Sequence, residues 1–171
     1  MSEKLSDEEV KILESIRSGR NFMTDFVDGL GLPPLRAAEL TEKLEQAGYI
    51  VRDGYTGSKY YMFHLTEKGL RVLPKLTPEE EELAKDGLTK EDLLVLSAIK
   101  KLQEEKKPIV AETVSKASGV STTRLVTVVN YLIRIGCLSE HGMIRRHVKI
   151  TAKGEELLNK HKAKITSSEK T

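Results

Sequence analysis

Residues 119–136 read GVSTTRLVTVVNYLIRIG, and residues 31–48 read GLPPLRAAELTEKLEQAG. The two stretches align without a gap at a separation of 88 residues, so that Arg36 falls on Arg124, Leu40 on Val128, Leu44 on Leu132 and Gly48 on Gly136. In each, a turn glycine precedes apolar positions at helical spacing, and a second glycine closes the segment. The pattern predicts the second helix of a helix-turn-helix, present twice. A chain of 171 residues has room for two such small units.

The flanking sequence supports each copy in the same order. Ser6-Asp7-Glu8-Glu9 has the form of a capping box, and Val10, Leu13 and Ile16 follow at helical spacing, which predicts a first helix. Residues 21–28, with Phe22 and Phe26 on one face, predict a short second helix, and Pro33-Pro34 suits the opening turn of a third over residues 35–47. Residues 49–52 and 59–65 then flank a loop containing Asp53-Gly54, the form of a β-hairpin. In the second copy Thr89 opens a helix, residues 108–110 predict a short strand, and residues 111–118 a helix. Ser121 caps the next helix, and residues 137–140 and 143–150 flank His141-Gly142. After each hairpin the chain reads Thr66-Glu67-Lys68-Gly69 or Thr151-Ala152-Lys153-Gly154, now 85 residues apart, which places a three-residue contraction in the second hairpin loop.

Three helices followed by a hairpin make a winged helix. The fold class expected is therefore mainly α with small β-hairpins (α+β), as two tandem winged-helix domains at 5–73 and 88–163. An acidic linker is expected at 74–87 and a flexible tail at 164–171. LTEKGLRVL after a hairpin, preceded by a helix ending in LEQAGYI or LIRIGCL, resembles the winged-helix domains of MarR-type and related archaeal transcription regulators. The resemblance covers residues 5–73 and 88–160 and implies binding of double-stranded DNA. Tandem winged helices also occur in proteins that assemble other proteins, among them ESCRT-II subunits, the RNA polymerase III subunit related to TFIIE, and ScpB. An assembly scaffold is therefore the rival reading.

Charge separates the two halves. The formal net charge is +2, but residues 1–85 hold 12 Lys and Arg against 16 Asp and Glu, whereas residues 86–171 hold 16 against 10. Only the second half is suited to meet a polyanion. On a helical wheel Leu125, Val128, Leu132 and Ile135 share one side, which leaves Thr123, Thr127, Asn130 and Arg134 opposite, with Thr122 and Arg124 near the N-terminus. These six, together with Arg145, Arg146, His147 and Lys149 of the second hairpin, are the expected DNA-binding residues. A further stripe, Val126, Val129 and Ile133, is expected to pack against neighbouring helices. In the first copy, the positions aligned with Thr127 and Asn130 are Glu39 and Glu42, carboxylates that phosphate would repel. With Tyr55, Tyr60 and Tyr61 they make a possible protein interface, although the tyrosines read more plainly as cross-strand packing.

No phosphate-binding glycine loop, nucleophile elbow or pair of catalytic acids is recognisable, so binding rather than catalysis is expected. Cys137, His141 and His147 lie on one hairpin, but a fourth ligand is missing and the spacing fits no common zinc site; no metal or other cofactor is expected. A single cysteine and the lack of an apolar N-terminal run lead to the expectation of a cytoplasmic protein without a membrane span. A homodimer is compatible with all of this. If both copies engaged one duplex, they would favour half-sites about one helical turn apart.

Overall fold

The computed structural model describes residues 4–54, 62–142 and 147–162. The chain divides between Lys75 and Leu76. The first unit contains α1 (Asp7–Arg17), a π-helical turn (Asp25–Gly29), α2 (Pro34–Gln46), β1 (Ile50–Asp53), β2 (Met62–Leu65) and α3 (Glu67–Arg71). The second contains α4 (Pro78–Lys85), α5 (Lys90–Glu104), α6 (Ala111–Ser118), α7 (Thr122–Arg134), β3 (Leu138–His141), β4 (His147–Ile150) and α8 (Ala152–Lys160). The described residues are thus mostly helical, with two small antiparallel hairpins paired Ile50↔Leu65 and Leu138↔Ile150 at their inner ends. None of their helices is long and apolar enough to cross a membrane.

Hydroxyl side chains start the helices. Ser6, Thr66, Thr77, Thr89, Ser121 and Thr151 each accept the backbone N–H of the third helical residue, one of the four N–H groups a helix leaves unpaired at its start. At Thr89 the bond is returned, because Asp92 Oδ2 accepts the Thr89 N–H at 2.8 Å. The segment at 21–28 takes a less regular form than expected: a π-helical turn, with Asp25 Oδ2 accepting the Phe22 N–H at 3.0 Å. The turn glycines Gly31 and Gly119 and the closing glycines Gly48 and Gly136 all have positive φ, between +69° and +83°, where a side chain would be strained.

Each unit has its own core. Ile12, Leu13, Phe26, Leu44, Ile50 and Phe63 are fully buried in the first, where the Phe26 and Phe63 rings lie 5.7 Å apart. Leu83, Leu93, Leu96, Ile99, Leu132 and Leu138 are their counterparts in the second. Burying a side chain of this size contributes about 2 kcal/mol. Leu83 belongs to α4, so the acidic stretch expected as a linker at 74–87 is largely part of the second unit. Three glutamates on α4 face solvent while its one leucine enters the core.

The repeated Thr-x-Lys-Gly sequence is a clasp. Thr66 Oγ1 donates to the Gly48 carbonyl at 2.6 Å and Lys68 Nζ to the Ala47 carbonyl at 2.6 Å; Thr151 and Lys153 do the same to Gly136 and Ile135 at 2.6 and 2.7 Å. Both lysines place a cation at the carbonyl end of the preceding helix, where the helix dipole favours it. The glycine lets the next helix lie directly on the chain: a Cβ at Gly69 would fall on the Tyr49 carbonyl, and one at Gly154 on the Cys137 carbonyl.

The hairpins differ at their edges. In the first unit Asn21 O accepts the Phe63 N–H at 2.9 Å, Asn21 Nδ2 donates to Phe63 O at 3.1 Å, and Phe22 bridges to Met62. The strand expected at 108–110 in the second unit does not form. Val110 is instead the residue before α6, and Gln103 Oε1 accepts the Ile150 N–H at 3.3 Å, so a side chain meets the edge that backbone meets in the first unit. Eight residues separate β1 from β2 and five separate β3 from β4, which is the three-residue contraction expected from the shift in repeat spacing.

Candidate nucleic-acid interface

Helix α7 is held by Leu125, Val128 and Leu132 in the second core and packs against α5, α6 and β3. Its free side is turned relative to the expectation. Thr122, Thr123, Asn130 and Arg134 are exposed as expected, but Thr127 is only 5% exposed, and its hydroxyl meets no hydrogen-bond partner. Val126, expected to pack inward, is instead 56% exposed and lies at the middle of the free side; Val129 and Ile133 are half-buried against the core. The exposed arc is rotated by roughly 40° from the one drawn on the wheel, at 100° per residue. The reason lies outside the helix. One turn beyond Thr127, Tyr131 is buried and donates its hydroxyl to Gly87 O at 2.6 Å, so the chain between α4 and α5 covers this flank. In the first copy Glu39, aligned with Thr127, is exposed.

Arg124 is engaged within the fold. Its Nη2 lies 2.7 Å from Glu91 Oε1 in the first turn of α5, both side chains about one-third exposed. Arg36, its counterpart, pairs with Glu8 in the first turn of α1 at 3.2 Å. Both glutamates stand two residues after a helix cap, Ser6 or Thr89, so this ion pair is a second, unanticipated repeat. Counting from the cap would have revealed it. Arg134, on the exposed side at the C-terminal end of α7, lies over the Tyr131 ring at 5.3 Å from its centre.

The second hairpin presents a defined face. The pairs Ser139↔Lys149 and His141↔His147 are directly opposite and alternate with the inward Leu138↔Ile150, so Ser139, His141, His147 and Lys149 share the outward side. His147 and Lys149 are exposed, and His141 Nε2 lies 2.9 Å from Ser139 Oγ. Arg145 and Arg146 lie outside the described residues. Cys137 is wholly buried in the core, and burial pushes its thiol above the usual range. Among the described residues, no three His, Cys, Asp or Glu side chains are placed to hold a metal ion.

No model of a known protein family matches the chain, and neither does any curated protein.

The first unit offers a different surface. Along α2, Glu39, Glu42 and Gln46 are exposed, Arg36 Nη1 lies 3.8 Å from Glu39, and Gln46 Nε2 donates to Glu42 at 3.4 Å. Leu35, at the position of Thr123, is 73% exposed. Tyr55, Tyr60 and Tyr61 lie outside the described residues. A further cluster had no sequence signal. Asp86, after α4, meets Lys160 Nζ at 2.9 Å and His161 Nε2 at 2.8 Å, at the end of α8, and the bonds from these two side chains hold its carboxyl below the ordinary value. Residues some 74 positions apart give no local pattern to read.

Proposed function

We propose that the chain is a tandem winged-helix protein that binds double-stranded DNA, as a transcription regulator, chiefly through α7 and the β3–β4 wing. The observation that carries this reading is the free side of α7. It bears Thr122, Thr123, Val126, Asn130 and Arg134 and no carboxylate, beside a hairpin whose outward face carries His147 and Lys149. An α-helix fits the major groove, hydroxyl and amide side chains bond base edges and phosphates, and Lys and Arg displace counterions from the backbone. Arg145 and Arg146, which come between β3 and β4 in the sequence, extend the same basic character.

A second reading applies to the first unit alone. Leu35, Glu39 and Glu42 give α2 an exposed leucine flanked by acids, a surface suited to a protein partner and not to phosphate. In this reading the first unit assembles while the second binds DNA; a scaffold acting only on proteins is the wider alternative.

The test is fluorescence anisotropy of the full chain with a random-sequence duplex at about 50 and 200 mM salt, where several phosphate contacts change affinity steeply. Binding that weakens with salt is expected, and changing Arg145 and Arg146 together to Ala should flatten the slope of log K against log salt by about 2. Lack of binding at low salt would overturn the proposal.

A further inference from the structure

Which base pairs α7 could read follows from what its arginines are doing, granted the proposed DNA contact. Direct readout of guanine relies on Arg or Lys reaching its O6 and N7. Of the two arginines on α7, Arg124 is joined to Glu91 at 2.7 Å. Arg134 lies over the Tyr131 ring at the C-terminal end, two turns beyond Val126, or about 12 Å along the axis, while it is the N-terminal part of such a helix that enters the groove. Between them the free side offers Thr122, Thr123, Val126 and Asn130. Asn bonds adenine through N6 and N7, and an exposed apolar side chain has one partner on the major-groove floor, the thymine methyl group. Asn130 stands about 6 Å beyond Val126 along the helix, a distance of one to two base-pair steps.

We infer that α7 selects A·T pairs, with Val126 seated on a thymine methyl and Asn130 bonded to an adenine one or two steps away. Val126, which the wheel assigns to the interior, is then the specificity residue at the centre of the interface.

The experiment is selection of binding sites by the full chain from a duplex pool with a randomised centre, followed by affinity measurements on the enriched site with thymine or uracil at each position. Uracil keeps every hydrogen bond and lacks only the methyl group. The expected result is an A·T core in which uracil at one position weakens the native protein about fourfold, the effect of one buried methyl, and leaves Val126→Ala unaffected. Asn130→Ala should lose the preference for adenine at a neighbouring position by roughly tenfold. A G·C core, binding without preference, or equal affinity for thymine and uracil sites would overturn the inference while leaving the DNA-binding proposal intact. Failure to retain any duplex at low salt would overturn both.

Discussion

Thr127→Val separates the wheel from the fold in one substitution. Thr127 is 5% exposed and its hydroxyl is unpartnered. A buried hydroxyl without a bond costs about 1–3 kcal/mol in lost hydration. Valine has nearly the same shape and helix propensity, so replacing the hydroxyl by a methyl group leaves the packing largely as it is and removes that cost. A gain of about 1 kcal/mol is expected, which for a unit of this size raises the melting temperature by about 4–8 °C. Thermal unfolding followed by circular dichroism measures it, and DNA affinity, measured on the same preparation, should not change. Unchanged or lower stability would refute the burial argument; a loss of DNA affinity with stability intact would restore Thr127 to the outward face.

Gly154→Ala should behave opposite to its helix propensity. Alanine ordinarily gains about 1 kcal/mol over glycine inside a helix, but this Cβ would fall on backbone atoms of Cys137, which cannot yield as a side chain end can, so a net loss of roughly 2 kcal/mol is expected in urea unfolding. Asp86→Asn should lower the melting temperature at pH 7. The carboxyl is held below its ordinary value of 3.8 by bonds from Lys160 and then His161, so its contribution is present above that value and is lost as pH falls through the lower, folded one. The difference between native and variant proteins should therefore narrow as pH falls below about 4 and vanish once it passes the lower, folded value, and a gap that does not narrow over this range would contradict the assignment.

Much of the fold was legible because it is written twice. The aligned Leu40 and Val128, and Leu44 and Leu132, are buried in both units, and the caps at Ser6, Thr89 and Ser121 act as their sequence implies. Local rules sufficed there, since caps, turns and core periodicity depend on residues a few positions apart. The candidate site was harder to read for the converse reason. A wheel drawn on α7 alone assigns its faces by apolar content, but which flank is covered depends on the chain at Gly87, far away in sequence, and on α4, whose glutamates concealed a core leucine. Thr127 and Val126 therefore exchanged places. The pairing of Arg124 was hidden for a similar reason: its partner Glu91 is 33 positions away and becomes visible only when the two units are compared from their caps. The missing strand at 108–110 has a comparable cause, because Gln103 supplies from a helix the acceptor that a strand would have offered.

Exchanging one aligned residue tests directly the proposal that the free side of α7, and not that of α2, meets DNA. Asn130 and Glu42 occupy the same position of the repeat and are both exposed. Asn130→Glu gives the second unit the carboxylate of the first, and Glu42→Asn does the reverse, with little effect on stability expected from either surface change. The measurement is affinity for duplex DNA at fixed low salt. A loss of at least about tenfold is expected for Asn130→Glu, from the new repulsion and the lost base contact, and no change for Glu42→Asn. Unaltered binding by Asn130→Glu, or an equal response to the change at Glu42, would contradict the proposal.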